Sequence, residues 1–183
     1  MTGSSRVEWK PAPSFAEVSD FRLAMREVAG AVTIVTAGKG EDRRGLTVTA
    51  LCSLSTDPPS LIVCVNKSSE GHKMIQRYGS FCVNVVAGDH GERADRFAGR
   101  TGLRGEDRFA AEHWTTLATG APVMADAIAV LDCDVIDALD RGTHTIFIGG
   151  VRAVQCEPNR PALVYRAGQY QVVHDKPSLP EFA

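Results

Sequence analysis

Short runs of apolar and β-branched residues, broken by Gly, Pro and charged residues, cover most of this 183-residue chain. Such runs predict strands, and helical spacing is confined to a few segments. The predicted strands span 31–37, 45–56, 61–65, 81–86, 127–138, 144–154 and 163–166. Because the connections are too short for repeated βαβ crossovers, the pattern predicts a mainly β protein. We expect a Greek-key type or split β-barrel with a few peripheral helices.

Three helices are predicted around these strands. The first is capped by Ser19 or Asp20, ends at Gly30 and carries a stripe of apolar residues at helical spacing. The second starts at Ser68 and ends at Tyr78, and the third is a polar segment over 88–97. Residues 99–113 are rich in charge and glycine and predict a surface excursion. The apolar stripe of the first helix consists of Phe21, Met25 and Val28.

Composition narrows the class of protein. The chain is long enough for one domain with a substantial core, which we place at 15–175 between tails at 1–14 and 176–183. A net charge of −2 argues against partners with phosphate-rich surfaces, so we expect neither nucleic acid nor membrane binding. Residues 1–13 lack the apolar core of a secretory signal. Five cysteines without a Cys-x-x-Cys spacing predict buried thiols in a reducing, cytoplasmic setting.

The predicted strand over 45–56 is the best candidate for a binding site. It carries small and hydroxyl-bearing side chains such as Thr47, Thr49 and Ser53 where a core strand would carry bulky ones. A flat ligand with a polar rim would fit along such a strand. A solvated edge strand explains the same pattern, and the residues alone leave both interpretations open. The sequence contains no Gly-rich dinucleotide fingerprint, no Walker loop, no serine-hydrolase elbow and no histidine spacing typical of metal sites.

An ordered set of short motifs makes the chain similar to a known family. The first is the Gly-Leu-Thr start at Gly45, followed by a strand of small residues, Ser-x-Ser and Pro58-Pro59. The others are Phe21-Arg22-x-x-Met25, Val32 to Thr36, Val83-Asn84-Val85, Phe97-Ala98-Gly99, Gly142-x-His144 to Gly149, Pro161 to Tyr165 and Gly168-Gln169-Tyr170. Together they cover roughly residues 19–172 and resemble the short-chain flavin reductases.

The resemblance implies a flavin-binding (FMN-binding) split barrel that acts as an NAD(P)H:flavin oxidoreductase. Such an enzyme transfers a hydride from NADH or NADPH to FMN or FAD and supplies reduced flavin to a separate monooxygenase. The family also implies a homodimer. Because the flavin performs the redox chemistry, no catalytic side chain is expected. Two alternatives share this barrel: a non-enzymatic flavin-binding module or redox sensor, and an oxidase of pyridoxamine-phosphate type.

The flavin-contacting residues are carried over from the family motifs. The strand predicted over 45–56 is expected to follow the isoalloxazine ring and the ribityl chain. The start of the second helix is expected to hold the phosphate, where Lys67 is the only nearby cation in sequence. The segment after Phe97-Ala98-Gly99 is a further contact, and for its arginine a solvated loop charge is the alternative. The implied residues are Thr47, Val48, Thr49, Ala50, Leu51, Ser53, Leu54, Ser68, Ser69, Glu70, Arg100 and Thr101.

The nicotinamide side of the site is implied by two further motifs. His144 stands where the family has the last residue of Gly-Asp-His, but Thr143 replaces the aspartate. A neutral imidazole there can orient the nicotinamide carboxamide, whereas a structural histidine bonded to backbone is the alternative. Gly168, Gln169 and Tyr170 match a segment near the reduced cofactor, where tyrosine can stack. On the first helix, Arg22 can meet a phosphate of the dinucleotide or be an ordinary surface arginine.

Overall fold

The computed structural model describes residues 14–174. The predicted tails at 1–14 and 176–183 therefore lie outside the described residues, apart from Ser14. The domain limits of 15–175 stay a prediction. Within the described range, no helix combines the length and the hydropathy that a membrane crossing requires.

Twelve strands and three α-helices make up the described chain, so β-structure dominates as the sequence predicts. The helices are α1 (Val18–Glu27), α2 (Glu70–Tyr78) and α3 (Gly91–Phe97), and short 3₁₀ turns lie at Gly40–Asp42 and Gly105–Phe109. The strands are β1 (Gly30–Ala31), β2 (Thr33–Ala37), β3 (Arg44–Val48), β4 (Leu51–Thr56), β5 (Pro59–Asn66), β6 (Ser80–Val85), β7 (Trp114–Thr116), β8 (Pro122–Met124), β9 (Ala129–Arg141), β10 (His144–Cys156), β11 (Ala162–Arg166) and β12 (Gln169–Val173).

Seven of the strands form one antiparallel sheet in the order β3-β2-β6-β9-β10-β5-β4. The long β9–β10 hairpin is its centre and turns where the sequence predicts a turn, between Arg141 and His144. β3 and β5 approach within 8 Å between Cα atoms, so the sheet curls although its hydrogen bonding does not close. A second sheet, β1-β11-β12, and the β7–β8 pair lie beside it. The predicted split barrel with peripheral helices is confirmed.

The predicted continuous strand over 45–56 is wrong, because it is two strands at opposite edges of the sheet. β3 pairs with β2, whereas β4 pairs with β5 in the hairpin that contains Pro58. Thr49 and Ala50 join them, and both are exposed. The alternation of small and apolar residues continues across this break, so periodicity alone cannot reveal it.

The core consists of two apolar clusters. Ile34 belongs to one and its neighbour Val35 to the other, because successive strand side chains point to opposite faces of the sheet. Both faces are therefore covered at β2, where every residue is buried. Of the cysteines predicted to be buried, Cys82 and Cys133 are buried, whereas Cys52 and Cys156 are exposed because they lie at a sheet edge and a strand end.

One further prediction about local structure is wrong, and three strands were not predicted. Helix α1 follows Glu17, so Ser19 and Asp20 lie inside its first turn and do not cap it. The helix also buries none of its residues, because its apolar stripe lines an open hollow instead of packing on the core. Strands β7, β8 and β12 were not predicted, since each is short and lies beside glycine or charged residues.

Candidate functional site

A cavity of about 480 Å³ opens beside β3, at the point where α2 begins and α3 ends. Three segments separated in sequence meet there. Two of them contribute predicted flavin-contacting residues to the lining, and the third flanks Arg100 and Thr101 without bringing either into it. The lining residues are Gly45, Leu46, Thr47, Ser68, Ser69, Glu70, Gly71, Phe97, Ala98, Gly99, Gly102, Leu103, Arg104 and Arg108. The structure thus brings Thr47 together with the predicted phosphate-binding segment 68–70.

The beginning of α2 is built to present its backbone amides to this cavity. Ser69 caps the helix, its Oγ accepting from the His72 amide at 3.2 Å. Asn66 Oδ1 accepts from the Ser68 amide at 2.9 Å and from the Ser68 hydroxyl at 2.8 Å, which holds the approach to the helix. A Cβ on Gly71 would lie 2.6 Å from Leu46 Cδ2, so glycine lets the first turn lie directly on β3. Uncompensated amides and the helix dipole make this end favourable for an anion.

Positive charge reaches this end of the cavity from the 99–113 segment, which was predicted as a surface excursion with flavin contacts at Arg100 and Thr101. Arg104 and Arg108 line the cavity, and Arg108 is fixed by a 2.9 Å hydrogen bond from its Nε to the Leu103 carbonyl. Glu70 is accompanied by Arg44, whose Nε lies 3.7 Å from its carboxylate. Sequence reasoning missed both cavity arginines, although the motif Phe97-Ala98-Gly99 directly precedes their segment.

The cavity continues along β3 through two adjoining hollows. A hollow of about 180 Å³ shares Thr47 and Ala98 with the first cavity, and one of about 550 Å³ shares Thr49 and Tyr165 with the second. We call the three together the β3 trough. Its middle part is also lined by Arg100 and Tyr170, and its far part by Arg22 and Ala50, with the apolar stripe of α1.

Arg100 lies within an aromatic wall in the middle of the trough. Its guanidinium carbon is 5.7 Å from the ring centre of Tyr165 and 5.6 Å from that of Tyr170. One amino group donates to Asp95 at 2.7 Å and the other to the Tyr165 hydroxyl at 3.2 Å. Burial of the Tyr170 side chain, together with its own hydrogen bond to Asp95, raises the pKa of Tyr170 to about 12. The wall is therefore polar at its rim, and Tyr170 stays neutral at physiological pH.

The predicted residues on β3 differ in what they offer a ligand. The Thr47 hydroxyl donates to the Ala94 carbonyl at 2.6 Å, so it retains only an acceptor position. Val48 is buried in the core and presents no side chain to the trough. Thr49 and Ala50 are exposed at the strand break. A ligand along β3 therefore meets backbone and small side chains.

Other predicted residues lie outside the trough. Leu51 and Ser53 line a separate hollow of about 410 Å³ at the β4 edge, whose other side chains are mainly apolar, and Leu54 is 49% exposed nearby. Thr101 and Gln169 are exposed and border none of the three trough hollows. Gly168 occupies the β11–β12 turn at φ +83°, a conformation that favours glycine.

His144 lies at the start of β10, apart from the other residues predicted to contact nicotinamide. It pairs in register with Asn66, next to the approach to α2, whereas Arg22 and Tyr170 border the middle and far parts of the trough. The ring is exposed, and its Nδ1 is 2.9 Å from the Thr143 hydroxyl. Thr143 therefore contacts the imidazole directly, in the position where the family has aspartate.

Comparison with known proteins agrees with this architecture. The sequence profile of the family described as flavin reductase like domain matches residues 25–174. FMN reductase (NADH) RutF of Agrobacterium fabrum is 39% identical over 154 residues, which cover 84% of this chain and 87% of the relative.

Solved structures give the same result. BorF, the flavin reductase component of a bacterial two-component tryptophan halogenase, superposes with a TM-score of 0.80 at 34% identity, covering 87% of this chain and all of BorF. The NADH:FAD oxidoreductase SgcE6 of Streptomyces globisporus has a TM-score of 0.79 at 28% identity, covering 91% of this chain and 100% of its own.

These relatives confirm the enzyme class expected from the motifs, an NAD(P)H-dependent flavin reductase, and do not favour the non-enzymatic binding module. A split barrel, a trough along β3 and a family match over residues 25–174 lead to one conclusion: the chain belongs to the flavin reductase family.

Proposed function

We propose that this protein transfers a hydride from NADH to a flavin mononucleotide held along the β3 trough. The observation that carries the proposal is the continuity of the trough, from an anion-binding helix start to an open aromatic hollow. The relatives named as NADH-dependent FMN reductases support the choice of NADH and FMN. FAD is the second candidate, because SgcE6 is named for it.

At the phosphate end, charge and backbone amides cooperate. The first turn of α2 supplies N–H donors, and Arg104 and Arg108 supply positive charge. The hydroxyl hydrogens of Ser68 and Ser69 are donated to Asn66, so these two serines shape the approach to the helix. A phosphate monoester carries a charge of about −1.5 to −2 at neutral pH, so it gains most from this combination. We therefore expect a phosphorylated flavin to bind more tightly than riboflavin.

Along the strand, the flavin ring needs a flat floor and space for a second ring. Thr49 and Ala50 are small and exposed, so they leave room above the backbone. The bound flavin accepts a hydride at its ring when reduced nicotinamide lies over it. Tyr170, and Arg22 at the far part of the trough, are proposed to hold the dinucleotide. The proposed role of His144 is to orient the carboxamide by one hydrogen bond, with Thr143 fixing its ring.

A homodimer is part of this proposal. The β4 edge carries an apolar hollow lined by Leu51, Leu61, Leu131, Val151 and Val154, and Val154 is 60% exposed. Exposed apolar side chains also occur on β9 at Ile136 and Leu139. Exposed apolar surface of this kind is typical of an interface. A second copy seated there would cover Ser53 and Leu54 as well.

We further propose that reduced flavin leaves the protein for a separate oxygenase component. BorF is named as such a component, which supports the same arrangement for this chain. The trough is open to solvent along its length, as a diffusing flavin requires. A cytoplasmic location is supported by five free thiols, two of them buried.

Steady-state oxidation of NADH and NADPH, followed by the absorbance of the reduced nicotinamide, tests the function directly. FMN, FAD and riboflavin are added in turn, and a reaction without flavin is the control. We expect NADH oxidation to depend on added flavin, with FMN giving the lowest apparent KM. Absence of flavin-dependent oxidation under every pairing would contradict the proposal.

A further inference from the structure

A polar relay of two buried residues and one exposed carboxylate underlies the turn that carries His144. His72 is 4% exposed, and its Nε2 is 2.7 Å from Thr145 Oγ1. Thr145 is 1% exposed and donates its hydroxyl hydrogen to Asp140 Oδ1 at 2.5 Å. Lys67 Nζ is 3.8 Å from the other oxygen of Asp140. We call His72, Thr145 and Asp140 the His72 relay; none of these three residues lines the β3 trough.

The direction of each hydrogen bond in the relay follows from the number of hydrogens available. The hydrogen bond from Thr145 lowers the pKa of Asp140, so its carboxylate is ionised and can only accept. The single hydroxyl hydrogen of Thr145 is therefore committed to Asp140. The Thr145 oxygen must then accept from His72, which places a hydrogen on Nε2. Burial lowers the pKa of His72, so the ring stays neutral at physiological pH.

The relay joins two parts of the site that are also linked by the β5–β10 ladder, in which His144 is opposite Asn66. One end is the first turn of α2, where the His72 amide donates to the capping Ser69. The other end is the β9–β10 turn, where Thr145 is opposite Asp140 and the adjacent His144 is opposite Arg141. A further bond, from the Lys67 amide to the Thr143 carbonyl at 3.0 Å, ties the same two segments.

Strand geometry explains why a buried threonine can control an exposed histidine. Successive side chains of β10 point to opposite faces, so the inward Thr145 fixes the direction in which His144 leaves the strand. The turn itself contains Gly142 at φ +54° and has no buried apolar side chain among residues 140–144. Hydrogen bonds, the Lys67–Asp140 ion pair and the strand ladder hold it in place.

We propose that His72 and Thr145 are positioning residues, which hold the His144 turn at a set distance from the α2 end of the flavin trough. This inference rests on the role of His144 in the proposed function. Neither residue touches flavin or nicotinamide. Breaking the relay should therefore impair the use of NADH while flavin affinity stays nearly unchanged.

The experiment breaks the relay at its middle with Thr145→Val, which keeps the shape and removes the hydroxyl. Stopped-flow reduction of flavin at several NADH concentrations separates nicotinamide affinity from the rate of hydride transfer. If one orienting hydrogen bond is lost, the second-order rate constant for flavin reduction by NADH should fall roughly 2- to 13-fold. Thr145→Ser retains the hydroxyl and should restore most of the wild-type value.

A matched control and a double variant distinguish positioning from general damage. Thr36→Val removes an equally buried threonine hydroxyl, bonded to the Pro122 carbonyl on the β2 side of the sheet, and should leave NADH kinetics unchanged. In the His144→Ala background, Thr145→Val should have no further effect on NADH kinetics, because its effect acts through the histidine. Flavin affinity, measured by fluorescence titration, should change less than twofold in every variant.

Three results would overturn the inference. Additive effects of Thr145→Val and His144→Ala would show that the relay acts independently of the histidine. NADH kinetics in Thr145→Val equal to those of Thr36→Val would show that the relay positions nothing. Unchanged kinetics in His144→Ala alone would refute the proposed role of His144, and with it the relay, while leaving the flavin reductase reaction itself intact.

Discussion

The two edges of the seven-stranded sheet come from one stretch of sequence and have opposite surroundings. β3 is covered by α2, α3 and the 99–113 segment, which supply backbone amides and two arginines. β4 is separated from β3 by only two residues, but no helix covers it, and the hollow beside it is mainly apolar. The first edge is suited to a charged ligand and the second to a protein surface. The comparison shows that the covering elements, and not the strand residues, decide what each edge can bind.

The largest expected effect concerns the uncovered β4 edge. Val154→Arg places a charge in the apolar hollow, where a second copy would leave it buried and unpaired. An unpaired buried charge costs about 3–5 kcal/mol, so we expect the dissociation constant of the proposed dimer to rise by about 150-fold or more. Analytical ultracentrifugation over a range of concentrations measures this change.

Val173→Arg is the matched control, because that valine is 54% exposed on β12, away from the β4 edge. It should leave the association state unchanged. A Val154→Arg protein that associates as the wild type does would remove the β4 edge as the dimer surface.

The next effect contrasts the two sides of the strand break. Ala50→Leu adds a branched side chain to the floor of the trough, where we expect the flavin ring to lie. Overpacking of about 1–3 kcal/mol corresponds to about a 5- to 150-fold rise in the Kd for flavin. Fluorescence titration with FMN provides the measurement, and a circular dichroism spectrum checks the fold.

Ser53→Leu is the paired variant on β4, where the side chain faces the other hollow. We expect a clearly smaller loss of flavin affinity than for Ala50→Leu. Equal losses would instead place Ser53 in the flavin site, as the family resemblance implies, and would mean that the flavin spans both edges. Unchanged affinity in both variants would show that the residues at the break do not contact flavin.

The smallest effect tests the charge that only the β3 edge receives. Arg104→Gln removes one exposed cation near the start of α2. Exposed ion pairs contribute about 0.2–1 kcal/mol, so the Kd for FMN should rise by no more than about fivefold. Riboflavin, which has no phosphate, should bind as before. Isothermal titration with both flavins gives the comparison.

Arg77→Gln serves as the control for net charge, because Arg77 lies at the far end of α2, 2.9 Å from Asp42. It should affect neither flavin. Equal weakening of FMN and riboflavin by Arg104→Gln would contradict a phosphate role for this arginine.

Local patterns predicted the elements of the site better than their arrangement. The start of α2 at Ser69 and Glu70 and the turn before His144 follow from capping residues and strand alternation, and the structure has both. The α1 cap was missed because Ser19 and Asp20 are favoured capping residues, whereas Glu17, which precedes the helix, is not and makes no side-chain capping hydrogen bond. The break at Thr49 was missed because small residues continue on both sides of it. His72 gave no reason to consider it, since its partner Thr145 is 73 residues away.

By itself, the sequence determined the strand-rich class, the barrel and the family, and through the family the flavin reductase activity. These depend on side-chain periodicity and on the order of motifs, which the linear chain contains. Three features were decided only by the tertiary structure. Arg104 and Arg108 lie beside α2, and β3 and β4 form opposite edges of the sheet. His72 is buried against Thr145. Such contacts depend on the register and curvature of the sheet, which arise from packing among residues far apart in the chain.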